Sequence, residues 1–208
     1  GMMLAGALRS ANSKFEVTMV LQSQGRGALK VLVVEANSDR TMRATAKWDG
    51  DIPDAPLNQL LGEGGTFVIT LDPEHGEPWQ GIVALEGDSI AQMLTHYMQR
   101  SEQLETLLQL EADDTTAAGL LLQRLPDGHG DADGWASAVA LAETLKRDEL
   151  LQLDGEEILY RLYHRDTVRL FDRESIAFAC SCSRERVSDM LKMLGGEEVG
   201  EVVLEQGS

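Results

Sequence analysis

Two cysteines stand one residue apart in the string Cys180-Ser181-Cys182-Ser183-Arg184-Glu185-Arg186, and the 208-residue sequence contains no others. The thiolate, rather than the thiol, is the nucleophile and the metal ligand. Ser183 can cap a helix that starts here, and the positive end of that helix favours the thiolate, as do Arg184 and Arg186. The pair therefore suits redox chemistry, or half of a zinc site, since structural zinc takes four ligands in a tetrahedron. His75, His96, His129 and His164 are scattered and share no ligand spacing with it. Three readings of the pair stay open. It is two buried, inert cysteines, a redox or metal half-site, or one half of a zinc site completed across two chains.

Other constellations are weaker. Gly25-Arg26-Gly27 and Glu63-Gly64-Gly65 match no phosphate-loop spacing and read as turns. Asp113-Asp114, and Asp131 with Asp133, lack the loop pattern that calcium needs, so they read as solvated loop charges. His96 beside Tyr97 has no serine or cysteine partner in sequence, which leaves no catalytic triad. Met93, Met98, Met190 and Met193 fall at helical positions and are assigned to core packing, although flexible methionine surfaces also accept varied apolar partners. Arg100, Glu102 and Arg124 read as surface or ion-pair residues.

Charge narrows the partners. Lys plus Arg number 18 against 35 for Asp plus Glu, a formal net charge of −17. That balance disfavours nucleic acid, whose phosphates need clustered cations, and docking on an anionic membrane. No apolar run is long enough for a membrane helix. The N-terminus lacks the basic start of a signal peptide, and Gly1 before Met2 looks like a cloning remnant. Two cysteines are too few for a secreted disulfide scaffold, so a reducing cytoplasm is the expected location.

The elements that must position the thiols divide in two. The first half alternates or runs β-branched in 15–22, 28–36, 41–48, 66–71 and 80–85, with Gly and Pro between, and is expected to form strands. The second of these is continuous enough to be covered on both faces. Asp88 is the expected N-cap of a helix carrying Ile90, Met93, Leu94, Tyr97 and Met98. Strands over 106–111 and 118–125 follow. Residues 126–134, dense in Asp and Gly, read as a linker. Beyond it a helix is expected over 135–145, with 149–153 continuing it or forming another. Asp154 and Glu157 fit a capping box before Ile158-Leu159-Tyr160-Arg161-Leu162-Tyr163. Extended apolar stretches are expected at 168–171 and 176–178, a helix after Ser183 carrying Val187, Met190, Leu191 and Leu194, and a last short helix over 197–204. The fold class expected is α+β, with a mostly β first domain.

Several strings together resemble one family. They are Gly50-Asp51-Ile52-Pro53, residues 80–88 (QGIVALEGD), residues 97–103 (YMQRSEQ), residues 118–123 (AGLLLQ), Arg161-Leu162-Tyr163-His164, and the Cys-x-Cys-Ser-Arg-Glu-Arg string. In this order they resemble the redox-regulated 33 kDa chaperonin family, heat shock protein 33. The resemblance implies an ATP-independent holdase of the bacterial cytoplasm, not an enzyme, that binds unfolded client proteins. It implies an α+β chaperone core over 1–125, a linker and helical middle region over 126–179, and a partial zinc module with the redox switch over 180–208. In the family a Cys-x-Cys and a later Cys-x-x-Cys hold one zinc. Oxidation pairs the thiols as disulfides, releases the metal and unfolds the linker, and the oxidised form dimerises. Cys180 and Cys182 match the first pair. No Cys-x-x-Cys occurs in this sequence, which also begins inside the family's first domain. As it stands the chain supplies two of the four ligands, and no bound zinc is expected. A homodimer, formed by segment exchange, is expected. The alternatives are a thiol–disulfide oxidoreductase using Cys180 and Cys182, and a dimerisation module whose thiols are relics of a lost metal site.

Overall fold

The structure, a computed structural model, describes residues 17–125, 132–180 and 188. It falls into two compact units, Gly1–Phe178 and Ala179–Ser208. The first unit begins with a meander: β1 (Val17–Gln24), β2 (Leu29–Asn37) and β3 (Thr41–Trp48). A short helix α1 (Leu57–Leu61), then β4 (Thr66–Pro73), β5 (Trp79–Val83) and helix α2 (Ile90–Arg100) complete its sheet half. Next come β6 (Thr106–Ala112), β7 (Ala117–Gln123) and helices α3 (Ala132–Ala142), α4 (Arg147–Gln152) and α5 (Gly155–Tyr163). The unit ends in β8 (Ala177–Phe178). The fold is α+β, as expected.

The main sheet has the order β5-β4-β1-β2-β3-β8, and every pair is antiparallel except β3 with β8. Alternation explains which face is inside. Met19, Leu21 and Ser23 of β1, Phe67 and Ile69 of β4, and Val83 of β5 are buried together. Helix α2 covers that face with Met93, Leu94, Tyr97 and Met98, spaced as one helical stripe. The second strand is covered on one face only. Val34 and Ala36 are buried, while Val31 and Val33 stay half-exposed because nothing described lies over the opposite face.

The hairpin β6-β7 separates two cores, and this makes its apolar residues legible. Leu108 and Leu110 lie against the sheet core, whereas Ala118, Leu120 and Leu122 lie against a second cluster of Leu150, Ile158, Leu162 and Tyr163. That second core belongs to α4 and α5, with Ala138 and Leu141 of α3 at its margin.

The helix ends differ from expectation in instructive ways. Ser89, not Asp88, caps α2: its Oγ accepts from the Gln92 N–H at 3.2 Å, and Gln92 Oε1 accepts from the Asp88 N–H at 2.8 Å. Extended backbone at Ser89 lets the helix begin one residue later than Asp88 would require. Asp154 does cap α5, by accepting from the Glu156 N–H at 3.0 Å. Glu157 does not close a capping box, because its carboxylate takes Arg161 at 2.8 Å. The helix expected over 135–145 starts and ends three residues earlier, at Ala132–Ala142, and α4 is a separate helix. Part of the expected linker lies outside the described residues, as do the helices expected after Ser183 apart from Ser188, which is helical.

Candidate functional site

The chain leaves α5 at Tyr163 and enters a strap, residues 164–178, in which every residue is exposed. None of its large apolar side chains is buried: Val168, Leu170 and Ile176 are about half-exposed, and Phe171 and Phe178 are each 76% exposed. Arg169 lies 4.8 Å from the Phe171 ring centre, a contact worth about 0.5–1 kcal/mol at an exposed site. Cys180 follows two residues after the strap and is exposed, so the buried, inert reading does not hold for it. Cys182, the other thiol of the pair, lies outside the described residues, as do Ser183, Arg184 and Arg186.

Charges pin the strap at two points. Arg173 Nη2 reaches Asp154 Oδ1 at 2.8 Å and Glu156 Oε1 at 2.9 Å, the N-cap and a first-turn residue of α5. The next residue, Glu174, pairs with Arg40 in the β2–β3 turn through both carboxylate oxygens. Beyond it, the Ala177 N–H donates to the Arg40 carbonyl at 3.0 Å and starts the two-residue β8. Asp154 is held below the usual carboxylate range, first by the Glu156 N–H and then by Arg173. Arg173 is pushed up in turn by Glu156 and Asp154.

The β2–β3 turn is shaped to present Arg40. Asp39 Oδ1 accepts from the Thr41 N–H at 2.9 Å and from the Thr41 hydroxyl at 2.6 Å, and those bonds, the hydroxyl's first, hold its carboxyl below the usual carboxylate range. Arg40 itself sits at φ 64°, a left-handed conformation that costs a non-glycine residue about 1–2 kcal/mol. In the helical cluster, Tyr163 donates to the Ala138 carbonyl at 3.0 Å, and burial pushes its phenol up.

The donor set for zinc is incomplete in this sequence. The described residues hold no group of three or more His, Cys, Asp and Glu placed to bind a metal, and the sequence has two cysteines. Two thiolates one residue apart fit half of a tetrahedron. Of the histidines, His75 and His164 are exposed, and His164 lies against Tyr160 with ring centres 5.8 Å apart. His96 is half-buried on α2, and His129 lies outside the described residues.

The weaker constellations resolve as structure. Asp113 caps the β6–β7 turn by accepting from Thr115 and Thr116. Gly25 and Gly27 lie against α1, where a Cβ at Gly25 would stand 2.2 Å from the Leu61 carbonyl oxygen. The Arg26 and Gly27 N–H groups both donate to that same oxygen at 2.8 Å. Met93 and Met98 are core, while Met190 and Met193 lie outside the described residues. Arg100 pairs with Glu86 at 2.7 Å and Arg124 with Glu105.

Sequence reasoning missed how two of the quoted strings meet. A Cβ at Gly81 would stand 2.2 Å from the Tyr97 hydroxyl, which itself donates to Glu102 Oε1 at 3.0 Å. Residues 80–88 and 97–103 thus lock β5 to α2, beside an apolar cavity of about 50 Å³ whose lining includes Trp79, Leu94 and Leu121. The ordered strings were the available signal; their spatial meeting was not.

Comparison with known proteins gives concordant results. The sequence profile described as "Hsp33 protein" matches residues 1–208. A protein named 33 kDa chaperonin from Chromobacterium violaceum is 60% identical over 209 residues, covering 100% of this chain and 71% of the relative. Its namesake from Neisseria meningitidis is 56% identical, with 100% and 70% covered, and that from Vibrio cholerae is 41% identical, with 100% and 72% covered. Among solved structures, the 33 kDa chaperonin of Thermotoga maritima superposes with a TM-score of 0.78 at 20% identity, covering 98% of this chain and 74% of that one. That likeness bears on the fold.

Proposed function

This chain belongs to the Hsp33 family, and on that premise we propose that it is a chaperone that holds unfolded client proteins without ATP and is regulated by redox state. One observation carries the reading. A strap with five large exposed apolar side chains leads directly into an exposed cysteine. Exposed apolar surface is what an unfolded client binds, and a thiol is what an oxidant reads. In this reading Cys180 and Cys182 are the redox pair, and oxidation joins them in disulfide chemistry. Zinc, in the complete family protein, takes these two thiolates together with two further donors. The organisation is a chaperone core over 1–125, a linker and helical middle over 126–179 and a partial switch module over 180–208.

The clients are unfolded or misfolded proteins, the setting is the cytoplasm, and the oxidised form is a homodimer. No helix among the described residues is long and apolar enough to cross a membrane, and the charge of −17 opposes nucleic acid.

The test is light scattering from a heat-unfolded client, with the chain reduced, peroxide-treated, or carrying Cys180→Ser with Cys182→Ser. Suppression that rises after peroxide and stays at the reduced level in the double variant is expected. No suppression in any state removes the chaperone reading, and equal suppression in all three removes the redox control.

A further inference from the structure

The outer edge of the main sheet is β3, yet only its first two residues are paired there. Thr41 lies beside Ala177 and Met42 beside Phe178, in parallel. That pairing turns the peptide groups of Met42 away from β2. Peptide groups alternate sides along a strand, so Ala44 and Ala46 also direct theirs outward. Among the described residues no strand meets them. From Ala44 to Trp48 the side chains are exposed on both faces too. A row of unpaired N–H and C=O groups on a strand whose open part begins with Ala44-Thr45-Ala46 is a template for another extended chain.

The chain's own occupant shows what this edge accepts. Ile176-Ala177-Phe178 is an extended apolar peptide, and it is held without burial, since Ile176 is 53% and Phe178 76% exposed. What holds it is main-chain bonding to β3 and the ion pair of Glu174 with Arg40. The left-handed Arg40, fixed by the bonds around Asp39, presents a carbonyl to Ala177 and a guanidinium to Glu174 from one residue. Strain of this kind persists where the surroundings over-determine it.

We propose that the outer edge of β3 takes up an extended apolar segment of an unfolded client by strand addition, and that Ile176–Phe178 sits there as an internal competitor latched by Arg40 and Glu174. The proposal deepens the client-holding reading and rests on it. A client segment fits the edge better than a second copy of this chain. The occupant already seated, Ile176–Phe178, is a short extended peptide of the kind unfolded proteins supply. Release of the competitor extends the open edge back to Thr41, the full length of β3.

Ala46→Pro removes one outward N–H and leaves the ladder to β2 intact, which an edge strand tolerates. Glu174→Gln weakens the latch. The probe is a fluorescent peptide of alternating Val and Thr, compared with the same peptide N-methylated on alternate amides, titrated against the full chain. The wild type is expected to bind the plain peptide and to lose most binding on N-methylation. Ala46→Pro should weaken plain-peptide binding about fivefold, with an unchanged circular dichroism spectrum. Glu174→Gln should tighten it about twofold, and Ala46→Pro should cancel that gain.

Equal affinity for the two peptides overturns strand addition whether or not the proline variant folds. So does an Ala46→Pro chain that binds peptide and suppresses client scattering like the wild type. A proline variant that changes only self-association assigns the edge to a second copy and overturns the proposal as well. A wild-type chain that suppresses no client scattering removes the holding reading itself, a separate and earlier failure.

Discussion

The sheet half of the first unit and its helical half are built from the same kinds of residue but bury them to different depths. In the sheet half thirteen buried side chains form one cluster between β1, β2, β4, β5 and the helices α1 and α2, and Leu61, Phe67 and Met93 have no exposure at all. In the helical half the described core cluster has four buried side chains, at 6–8% exposure, with Ala142 of α3 buried outside it, and the hairpin β6-β7 supplies much of the rest. Past α5 the chain has no buried residue through Phe178. Burial of apolar area is the main favourable term in folding, so stability declines along the chain toward the thiols.

The largest expected effect tests the strong end. Phe67→Ala removes a ring with 0% exposure from the centre of the sheet core, and should cost about 3–5 kcal/mol. Against a typical total of about 5–15 kcal/mol, that lowers the urea midpoint of the whole unit, read by circular dichroism. A loss below about 1 kcal/mol would mean that the sheet core is looser than its burial says.

Leu162→Ala probes the weak end. Leu162 is 8% exposed on α5 and faces Leu150 and Ile158, so the cost is about 2–4 kcal/mol, smaller than that of Phe67 and differently distributed. Amide exchange should accelerate in α3, α4 and α5 while β1, β2 and β4 keep their protection. Uniform acceleration across both halves would erase the distinction and make the unit a single cooperative block.

That gradient was partly legible in the sequence. The strands of the meander and the stripe on α2 could be found because alternation and the helical repeat act over many residues. The hairpin's run Leu120-Leu121-Leu122 reads as a strand, but its service to two cores is not in the sequence, since Leu121 meets α2 on one side while Leu120 and Leu122 meet the cluster of α4 and α5 on the other. Helix starts shifted by one to three residues, because a cap depends on backbone angles at Ser89 that composition does not specify. At the site, Cys180 and Cys182 could be singled out by spacing alone. Arg40, Arg173 and Glu174 could not, because their meaning lies in contacts such as that of Glu174 with Arg40, 134 residues apart in sequence.

The smallest effect on global stability, and the sharpest on the strap, belongs to Arg173. Its partners Asp154 and Glu156 are exposed, and the pairs are open to solvent and salt. Arg173→Ala should leave the urea midpoint of the sheet core where it is and speed protease cleavage within residues 164–178. Added salt should reproduce the effect in the wild type and do little more in the variant. Acid gives the same comparison a sign. Asp154 is lowered from its ordinary value of 3.8, first by the Glu156 N–H and next by Arg173. Its contribution is therefore complete above the unfolded value and is lost as pH falls through the folded one. Amide exchange of the strap, corrected for the intrinsic rate at each pH, should stay flat from neutral pH down to about 4 and rise below that, ahead of any loss of sheet signal. In Arg173→Ala that rise should be largely absent, because protonation of Asp154 then has no strap contact left to break. If strap and sheet gave way together on acidification, charge would not be what holds residues 164–178, and the contrast between the buried half and the latched end would have to be redrawn.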